Sequence, residues 1–256
     1  MFTPHLTRDA RKPTWAPGIE ISMQPLRNVV NRSSQINNGW HRTNKHPSGY
    51  LPAESRPELA LFLVLAEMDP NITLIAAQAC EIGFGHDRKA CRHFPDYAVL
   101  EAGESVLYEI KTARKYADRE LRRRLASAGA SIEARGWPYF VALDDEMRDA
   151  PNFAHAEDLW RRHRPIFTDL QHLAVQRALG TAERTIADVL ADLAGDDNAP
   201  SVEQVLSLAA NARIFIDLTL PVGRGSIIRR ADPDAMPEPL LPRRRPIEDL
   251  ELEQAA

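Results

Sequence analysis

Three residues of this chain have types and spacing that suit metal-dependent chemistry: Asp96, Glu109 and Lys111. Two neighbouring carboxylates repel each other unless a cation lies between them, and hard cations such as Mg²⁺ prefer carboxylate oxygens while keeping bound water. A lysine beside them can position or deprotonate that water, because its pKa shifts readily. Lysine is scarce here, with 5 Lys among 32 Lys and Arg, so its occurrence at this place favours a function.

The stretches on either side of a short Gly-containing loop, residues 93–100 and 105–111, alternate apolar and polar side chains, which is typical of a β-hairpin. If Leu100 pairs with Ser105, the two acidic residues fall directly opposite each other and the lysine projects from the same face. A slip of one residue would move one of them to the other face. A hairpin face with scattered, solvated charges remains an open alternative.

Glu58 is a fourth candidate, on a helix predicted from about Arg56 to Glu67. Ser55 suits the N-cap of this helix and Pro57 its first turn. The helix is apolar over most of its circumference, and a carboxylate in such a setting is either paired or functional. Ser55 and Glu58 also have the spacing of a capping box, in which the glutamate accepts from the N-cap amide. The residues alone leave capping and catalysis open.

The other elements predicted up to residue 150 place these residues in one α/β unit. A strand is predicted over 71–82, then a loop over 83–89, the hairpin, a helix over about 112–134 and a buried strand over 138–143. This order, αβββαβ, is that of the restriction-endonuclease-like fold. The helix after the hairpin carries basic residues that either follow a phosphate backbone or face solvent: Arg114, Lys115, Arg119, Arg122 and Arg123.

Pro95-Asp96 followed by Glu109-Ile110-Lys111 resembles the PD-(D/E)xK nuclease motif, and its surroundings resemble the TnsA-type endonuclease subunits of heteromeric transposases. The resemblance covers roughly residues 45 to 143. It includes Ser55-Arg56-Pro57-Glu58, Met68-Asp69-Pro70-Asn71-Ile72 and Gln78. Two positions depart from the family pattern: Ala79 stands where the family often has Pro, and Glu109 where some members have Gln.

This resemblance implies a Mg²⁺-dependent DNA endonuclease, with Mn²⁺ as a substitute metal, that hydrolyses one phosphodiester at each transposon end. It implies metal ligation by Glu58, Asp96 and Glu109, with Lys111 orienting water or stabilising charge. The implied partners are double-stranded DNA at the transposon ends, a DDE transposase subunit and an ATPase regulator. Two alternatives stay open: a stand-alone PD-(D/E)xK restriction or repair nuclease, and a non-cleaving DNA-binding adaptor.

Residues 151–230 are predicted to form a second, mainly helical domain with a winged-helix order of elements. Helices are predicted at about 164–179, 182–193 and 202–212, and strands at 213–220 and 226–230. The third helix has few groups for reading DNA, since it has no Lys or Arg and its polar residues are Glu203, Gln204, Ser207 and Asn211. The domain is therefore predicted to bind protein, and the resemblance implies the ATPase.

The two ends of the chain flank the nuclease domain, predicted over 51–150, and the winged-helix domain. Residues 1–50 read as an irregular N-terminal arm. Residues 231–256 contain five prolines and an acidic end, a composition that predicts a disordered tail.

The composition limits the function classes. A formal net charge of −4 does not indicate a nucleic-acid binder, so local basic clusters must carry any contact with DNA. Two cysteines and an N-terminus without a long apolar run predict a cytoplasmic protein without a membrane partner. Cys80, His86, Cys91 and His93 raise a zinc site as an alternative, although their spacing matches no usual pattern.

Overall fold

The computed structural model describes residues 14–27, 39–232 and 236–249 and shows a mixed α/β protein with several sheets. Its first half contains β1 (Gly39–Arg42), β2 (Tyr50–Ala53), α1 (Glu58–Phe62 as π-helix and Leu63–Met68 as α-helix), β3 (Ile72–Ala77), β4 (Ile82–His86), β5 (Lys89–His93), β6 (Tyr97–Glu101), β7 (Glu104–Lys111), α2 (Ala113–Tyr116), α3 (Arg119–Glu133) and β8 (Tyr139–Leu143). Its second half contains α4 (Asp144–Asp149), α5 (Phe153–Trp160), α6 (Asp169–Leu179), β9 (Arg184–Thr185), α7 (Ile186–Asp192), α8 (Val202–Ala210), β10 (Ile214–Ile216) and β11 (Ile227–Arg230).

The central sheet has the strand order β3-β6-β7-β8. β6 and β7 form the predicted antiparallel hairpin, and the predicted register is confirmed because Leu100 pairs with Ser105. Ala102 and Gly103 form its turn with φ of +49° and +87°, as a two-residue type I′ turn requires. β8 pairs with β7 in parallel, which is possible because α2 and α3 carry the chain back to the other end of the sheet.

Helix α1 crosses one face of this sheet. Its residues from Leu61 to Met68 are buried, as the apolar sequence predicts. Phe62 packs against two strand residues, with ring centroids 4.8 Å from Tyr97 and 5.5 Å from Tyr108. The π-helical turn over Glu58–Phe62 was not indicated by the sequence; such turns occur frequently at functional sites.

Two predictions between α1 and the hairpin are wrong. The strand predicted over 71–82 ends at Ala77, because Gln78 has a left-handed φ of +44° that interrupts the extended chain. The loop predicted over 83–89 is instead part of a second hairpin, β4 and β5, joined through Asp87 and Arg88. Alternate residues of β4 are buried toward α3, and the positions between them are glycines. The usual sequence signal of a strand, alternating apolar and polar side chains, is therefore missing.

The second half follows the predicted helix and strand order with three additions, α4, α5 and β9, and with shifted ends. α6 begins at Asp169 rather than near 164, because Thr168 and Gln171 form a capping box there. α8 has the predicted Ser201 capping box. The sequence did not indicate α5 or the short β9, which joins β10 and β11 in a sheet of order β10-β11-β9.

Helix α8 is buried from Val205 to Ala210, so most of it is covered by protein. Its polar residues bind within the chain: Ser207 donates to the Arg164 carbonyl at 2.9 Å, and Asn211 to the His163 carbonyl at 3.1 Å. One cluster of buried apolar side chains extends from α1 and the central sheet to α5, α6, α7 and α8. α8 therefore serves as a core helix.

The prediction of a disordered tail over 231–256 does not hold for residues 236–249. The Arg244 carbonyl accepts from Val141 N at 2.8 Å on the edge strand β8, and Leu240 N donates to Asp69 at 2.7 Å. Leu241 is 3% exposed and joins the main core. This segment has few apolar residues, but it is held because it pairs with the edge of the sheet at β8 and buries Leu241 in the main core.

The predicted irregular arm is only partly irregular. β1 and β2 form an antiparallel hairpin, and Trp15 stacks on Trp137 at 6.1 Å between ring centroids. Residues 1–13 and 28–38 of the arm lie outside the described part of the chain. In the part that the structure describes, no helix is both long and apolar enough to cross a membrane.

Leu241→Ala tests the docking of the C-terminal segment. Removing this buried side chain should lower the free energy of unfolding by ~2–5 kcal/mol, since a cavity is left in the main core. Urea denaturation measures the change. Leu220→Ala is the control, because Leu220 is 43% exposed; equal effects of the two substitutions would contradict the docked position.

Candidate active site

Asp96 lies immediately before β6, and both its side chain and its backbone carbonyl accept hydrogen bonds. Its Oδ2 atom accepts a hydrogen bond of 2.7 Å from the Ile110 amide, and its carbonyl accepts one of 2.9 Å from the Gln78 amide. The residue is 9% exposed. The side chain therefore has a fixed position above the end of β7.

Glu109 and Lys111 project from β7 toward Asp96, as the period of a strand predicts. The Lys111 ammonium contacts Glu109 Oε1 and lies 3.5 Å from Asp96 Oδ2. It also donates to the Ile110 carbonyl at 3.0 Å. One partly buried cation, with 19% of its side chain exposed, thus lies against two buried carboxylates, and the structure brings the three predicted residues together.

The electrostatics differ between the two carboxylates. Burial raises the pKa of Asp96 well above its ordinary value, and the neighbouring Glu109 raises it further, although Lys111 opposes both. Burial also acts to raise the pKa of Glu109, yet Lys111 and His93 together hold it at about 2. Lys111 itself is desolvated, but the two carboxylates outweigh this and raise its pKa. Of the two acids, Asp96 is the one that retains a proton more readily.

Glu58 has a capping geometry that differs from the predicted one. Its Oε1 accepts from the Ser55 hydroxyl at 2.7 Å, and its Oε2 from the Glu54 amide at 2.9 Å, rather than from the Ser55 amide. Tyr97 OH also donates to Oε2, at 3.2 Å. Burial raises the pKa of Glu58, and its charge acts on both Asp96 and Lys111. Capping and membership of the site are therefore compatible.

Sequence reasoning missed two residues of the site, His93 and Tyr139. His93 Nε2 lies 3.3 Å from Glu109 Oε2 and 3.1 Å from the Tyr139 hydroxyl. His93 was considered only as a zinc ligand. Its place three residues before Asp96 was a usable signal, but the approach of Tyr139 on β8 depends on the parallel pairing of β7 and β8.

The donor set fits a hard divalent cation. Glu109 Oε2 is buried and lies 3.3 Å from His93 Nε2, but among the described residues it has no hydrogen bond of standard geometry, so it keeps a lone pair for another ligand. All three acidic groups offer oxygen, as Mg²⁺ prefers. Their oxygens do not all lie within 4.8 Å of one another, and the Lys111 ammonium now neutralises two of them. A bound cation would take over that neutralisation.

The zinc alternative is wrong for the described residues. Cys80, His86, Cys91 and His93 do not converge, and burial raises the pKa of the Cys80 thiol to about 12, which disfavours the thiolate that zinc binds. The only described group of three such side chains within 4.8 Å is His86, Asp87 and Glu120. Arg123 already pairs with both of its carboxylates, at 3.0 and 3.1 Å.

The five predicted DNA-contacting residues divide into two sets. Arg114, Lys115 and Arg119 are exposed on α2 and the start of α3. Arg122 donates to the Tyr116 carbonyl at 2.7 Å, and Arg123 forms the ion pairs just described. Arg122 and Arg123 therefore bind within the protein, and Arg114, Lys115 and Arg119 have exposed side chains.

Comparison with known proteins adds no relative. No protein-family model matches the chain. No curated protein matches it either. The geometry of Asp96, Glu109 and Lys111 is therefore the basis for a functional proposal.

Asp96→Asn tests the electrostatics without metal. Because the folded-state pKa of Asp96 is raised above 3.8, the native protein binds more protons than the unfolded chain, so this group makes stability fall as pH rises through that interval. Asn removes the charge and keeps an acceptor for Ile110. In EDTA near pH 8, the variant should gain on the order of 1 kcal/mol, or about 2–4 °C in Tm.

Thermal denaturation between pH 4 and 8 checks this expectation. Asp118→Asn is the matched control, because Asp118 is an exposed N-cap where Asn caps equally well. A lower Tm for Asp96→Asn than for wild type at pH 8 would count against the buried, unfavourable charge.

Proposed function

We propose that this chain is a metal-dependent DNA endonuclease with a restriction-endonuclease-like nuclease domain. The observation that carries the proposal is the group formed by buried Asp96 and Glu109 and partly buried Lys111 at one end of β6 and β7. The order of α1, β3, β6, β7, α3 and β8 in one sheet unit is consistent with this fold. Burial and the neighbouring Glu109 raise the pKa of Asp96, and a raised carboxyl pKa beside a charge partner supports a functional site.

The residues divide the chemistry among them. Asp96, Glu109 and Glu58 would hold Mg²⁺, or Mn²⁺ in its place. The bound cation supplies a Lewis acid for a phosphoryl oxygen and a water of lowered pKa. Lys111, released from neutralising two carboxylates, orients the attacking water or stabilises charge on the phosphorane.

Duplex DNA is the proposed substrate. Arg114, Lys115 and Arg119 are exposed and follow Lys111 directly along the chain, so they extend positive charge away from the buried acids. Such groups bind phosphates without reading bases. The net charge of −4 is compatible with DNA binding if this local surface provides the contact.

We further propose that the enzyme acts as the TnsA-type subunit of a transposase, cutting transposon ends beside a DDE transposase. Residues 151–230 are proposed as a winged-helix domain that binds an ATPase regulator. Two observations support a protein rather than a DNA partner: α8 is largely buried, and Ile166, Leu170 and Leu173 are 50%, 60% and 54% exposed in one neighbourhood around the start of α6. Exposed apolar patches of this kind favour protein contacts.

The test of the nuclease proposal is metal binding and cleavage by the full chain. Mg²⁺ at about 100 times its Kd should stabilise wild type by ~2.7 kcal/mol, and Asp96→Ala should lose this response. Cleavage of duplex DNA with transposon ends, with and without the two partners, should require Mg²⁺ or Mn²⁺. Equal metal-induced shifts in wild type and Asp96→Ala would remove the metal assignment.

The same assay separates the alternatives. Cleavage without partners at unrelated sites would favour a stand-alone nuclease, whereas DNA binding without cleavage in the assembled system would favour an adaptor. Glu58→Gln should fold, since Gln can still accept at the Oε2 position and donate to Ser55, but it should lose most cleavage. Ser55→Ala should cost ~0.5–2 kcal/mol of stability and retain cleavage.

The partner surface is tested by Leu170→Glu combined with Leu173→Glu. Charges at these exposed positions should leave the fold intact and weaken binding to the ATPase by at least ~10-fold, since apolar anchors carry much of the energy of a protein interface. Metal-dependent stabilisation should stay at the wild-type level. Leu220→Glu is the control at another exposed leucine; unchanged ATPase affinity in the double variant would exclude this surface.

A further inference from the structure

His93 reaches the candidate site from a hairpin that the motif does not include. It is the last residue of β5, its side chain is 11% exposed, and its Nε2 atom lies between Glu109 Oε2 at 3.3 Å and the Tyr139 hydroxyl at 3.1 Å. Glu109 Oε1 contacts Lys111. The carboxylate of Glu109 is thus flanked by a nitrogen group at each oxygen.

The imidazole ring has little freedom to move. It meets Phe84 and Tyr139 edge-on, with ring centroids 6.5 and 5.8 Å apart and interplanar angles of 85° and 87°. Tyr139 is fully buried and packs on α3 at Gly129, where an added Cβ would come within 2.9 Å of the tyrosine ring. The position of Nε2 is therefore determined by four elements: the hairpin strands β4 and β5, the strand β8 and the helix α3.

A glutamate that binds metal needs this kind of support. Its side chain has three rotatable bonds, and His93 Nε2 at 3.3 Å is the contact described at its buried Oε2 atom, which has no hydrogen bond of standard geometry among the described residues. An Nε2–H of His93 directed at that oxygen limits its rotation while leaving a lone pair for a metal. Partners behind metal ligands typically change metal affinity or activity by about 10- to 100-fold when removed.

We propose that His93, held by Tyr139, is a positioning residue that orients Glu109 for metal binding. The inference rests on the proposed metal-dependent function and adds a residue outside the PD-(D/E)xK motif. His93 acts through Glu109 and does not contact the substrate. His93 contributes an N–H donor at the Nε2 position. Substituted side chains of different length should therefore differ in their effect on metal binding.

The experiment measures Mn²⁺ binding to the full chain by electron paramagnetic resonance, without DNA. In His93→Asn the side chain is too short for its amide to reach Glu109, so the Kd for Mn²⁺ should rise by about 10- to 100-fold. His93→Gln places an N–H near the Nε2 position and should bind close to wild type. Tyr139→Phe keeps the packed ring, removes the hydroxyl and should weaken binding less than His93→Asn.

His86→Asn is the matched control. His86 ends the neighbouring strand β4, its side chain is 10% exposed, and it also contacts a hydroxyl, Ser127 at 3.0 Å, and a carboxylate, Glu120 at 2.9 Å. It does not contact Glu109. Cleavage by His93→Asn should need more Mg²⁺ but approach the wild-type rate at saturation, which general destabilisation would not produce.

The outcomes separate the inference from the function on which it rests. Failure of wild type to bind Mn²⁺ would overturn both. Wild-type binding with an unchanged Kd in His93→Asn, an equal loss in His93→Gln, or an equal loss in His86→Asn would overturn the inference alone. If His93→Asn does not fold, Tyr139→Phe decides: a raised Kd supports the proposal, and an unchanged Kd overturns it.

Discussion

One ammonium group, that of Lys111, is shared by two buried carboxylates at the end of the central hairpin. Taking charges out of water costs several kcal/mol per ion, and only close opposite charges offset this cost. Lys111 meets that need for Glu109, but Asp96 shares the same cation at 3.5 Å and its pKa stays raised. With Glu58 acting on both, the site holds more negative charge than its lysine balances. The cation proposed above would balance this excess of negative charge.

The surrounding structure holds this unfavourable arrangement in place. Gln78 has a left-handed φ of +44°, and its amide donates to the Asp96 carbonyl at 2.9 Å. Its side-chain Oε1 is buried without a hydrogen-bond partner among the described residues. Strain and an unsatisfied polar group beside the acidic residues indicate that the native structure accepts a local cost to keep Asp96 where it is.

The two halves of the protein use their surfaces differently. Near the acidic site, basic side chains on α2 and the start of α3 remain exposed, while Arg122 and Arg123 are held by protein partners. In the second half, the helix that a winged-helix order would offer to DNA is covered, and the exposed groups near α6 are apolar. The proposed function assigns DNA to the first of these surfaces and a protein partner to the second.

The sequence by itself determined the hairpin, its register and the approach of Asp96, Glu109 and Lys111. These features depend on local rules: the alternation of a strand and the positive φ values of a two-residue turn. Local reasoning also located the capping residue Ser201. Only the tertiary structure decided the contact between His93 and Tyr139 and the docking of Leu241 on the core. The first contact joins residues 46 positions apart, and the second joins the C-terminal segment to the main core. Which distant groups meet depends on the packing of all the elements between them, a property that no local pattern contains.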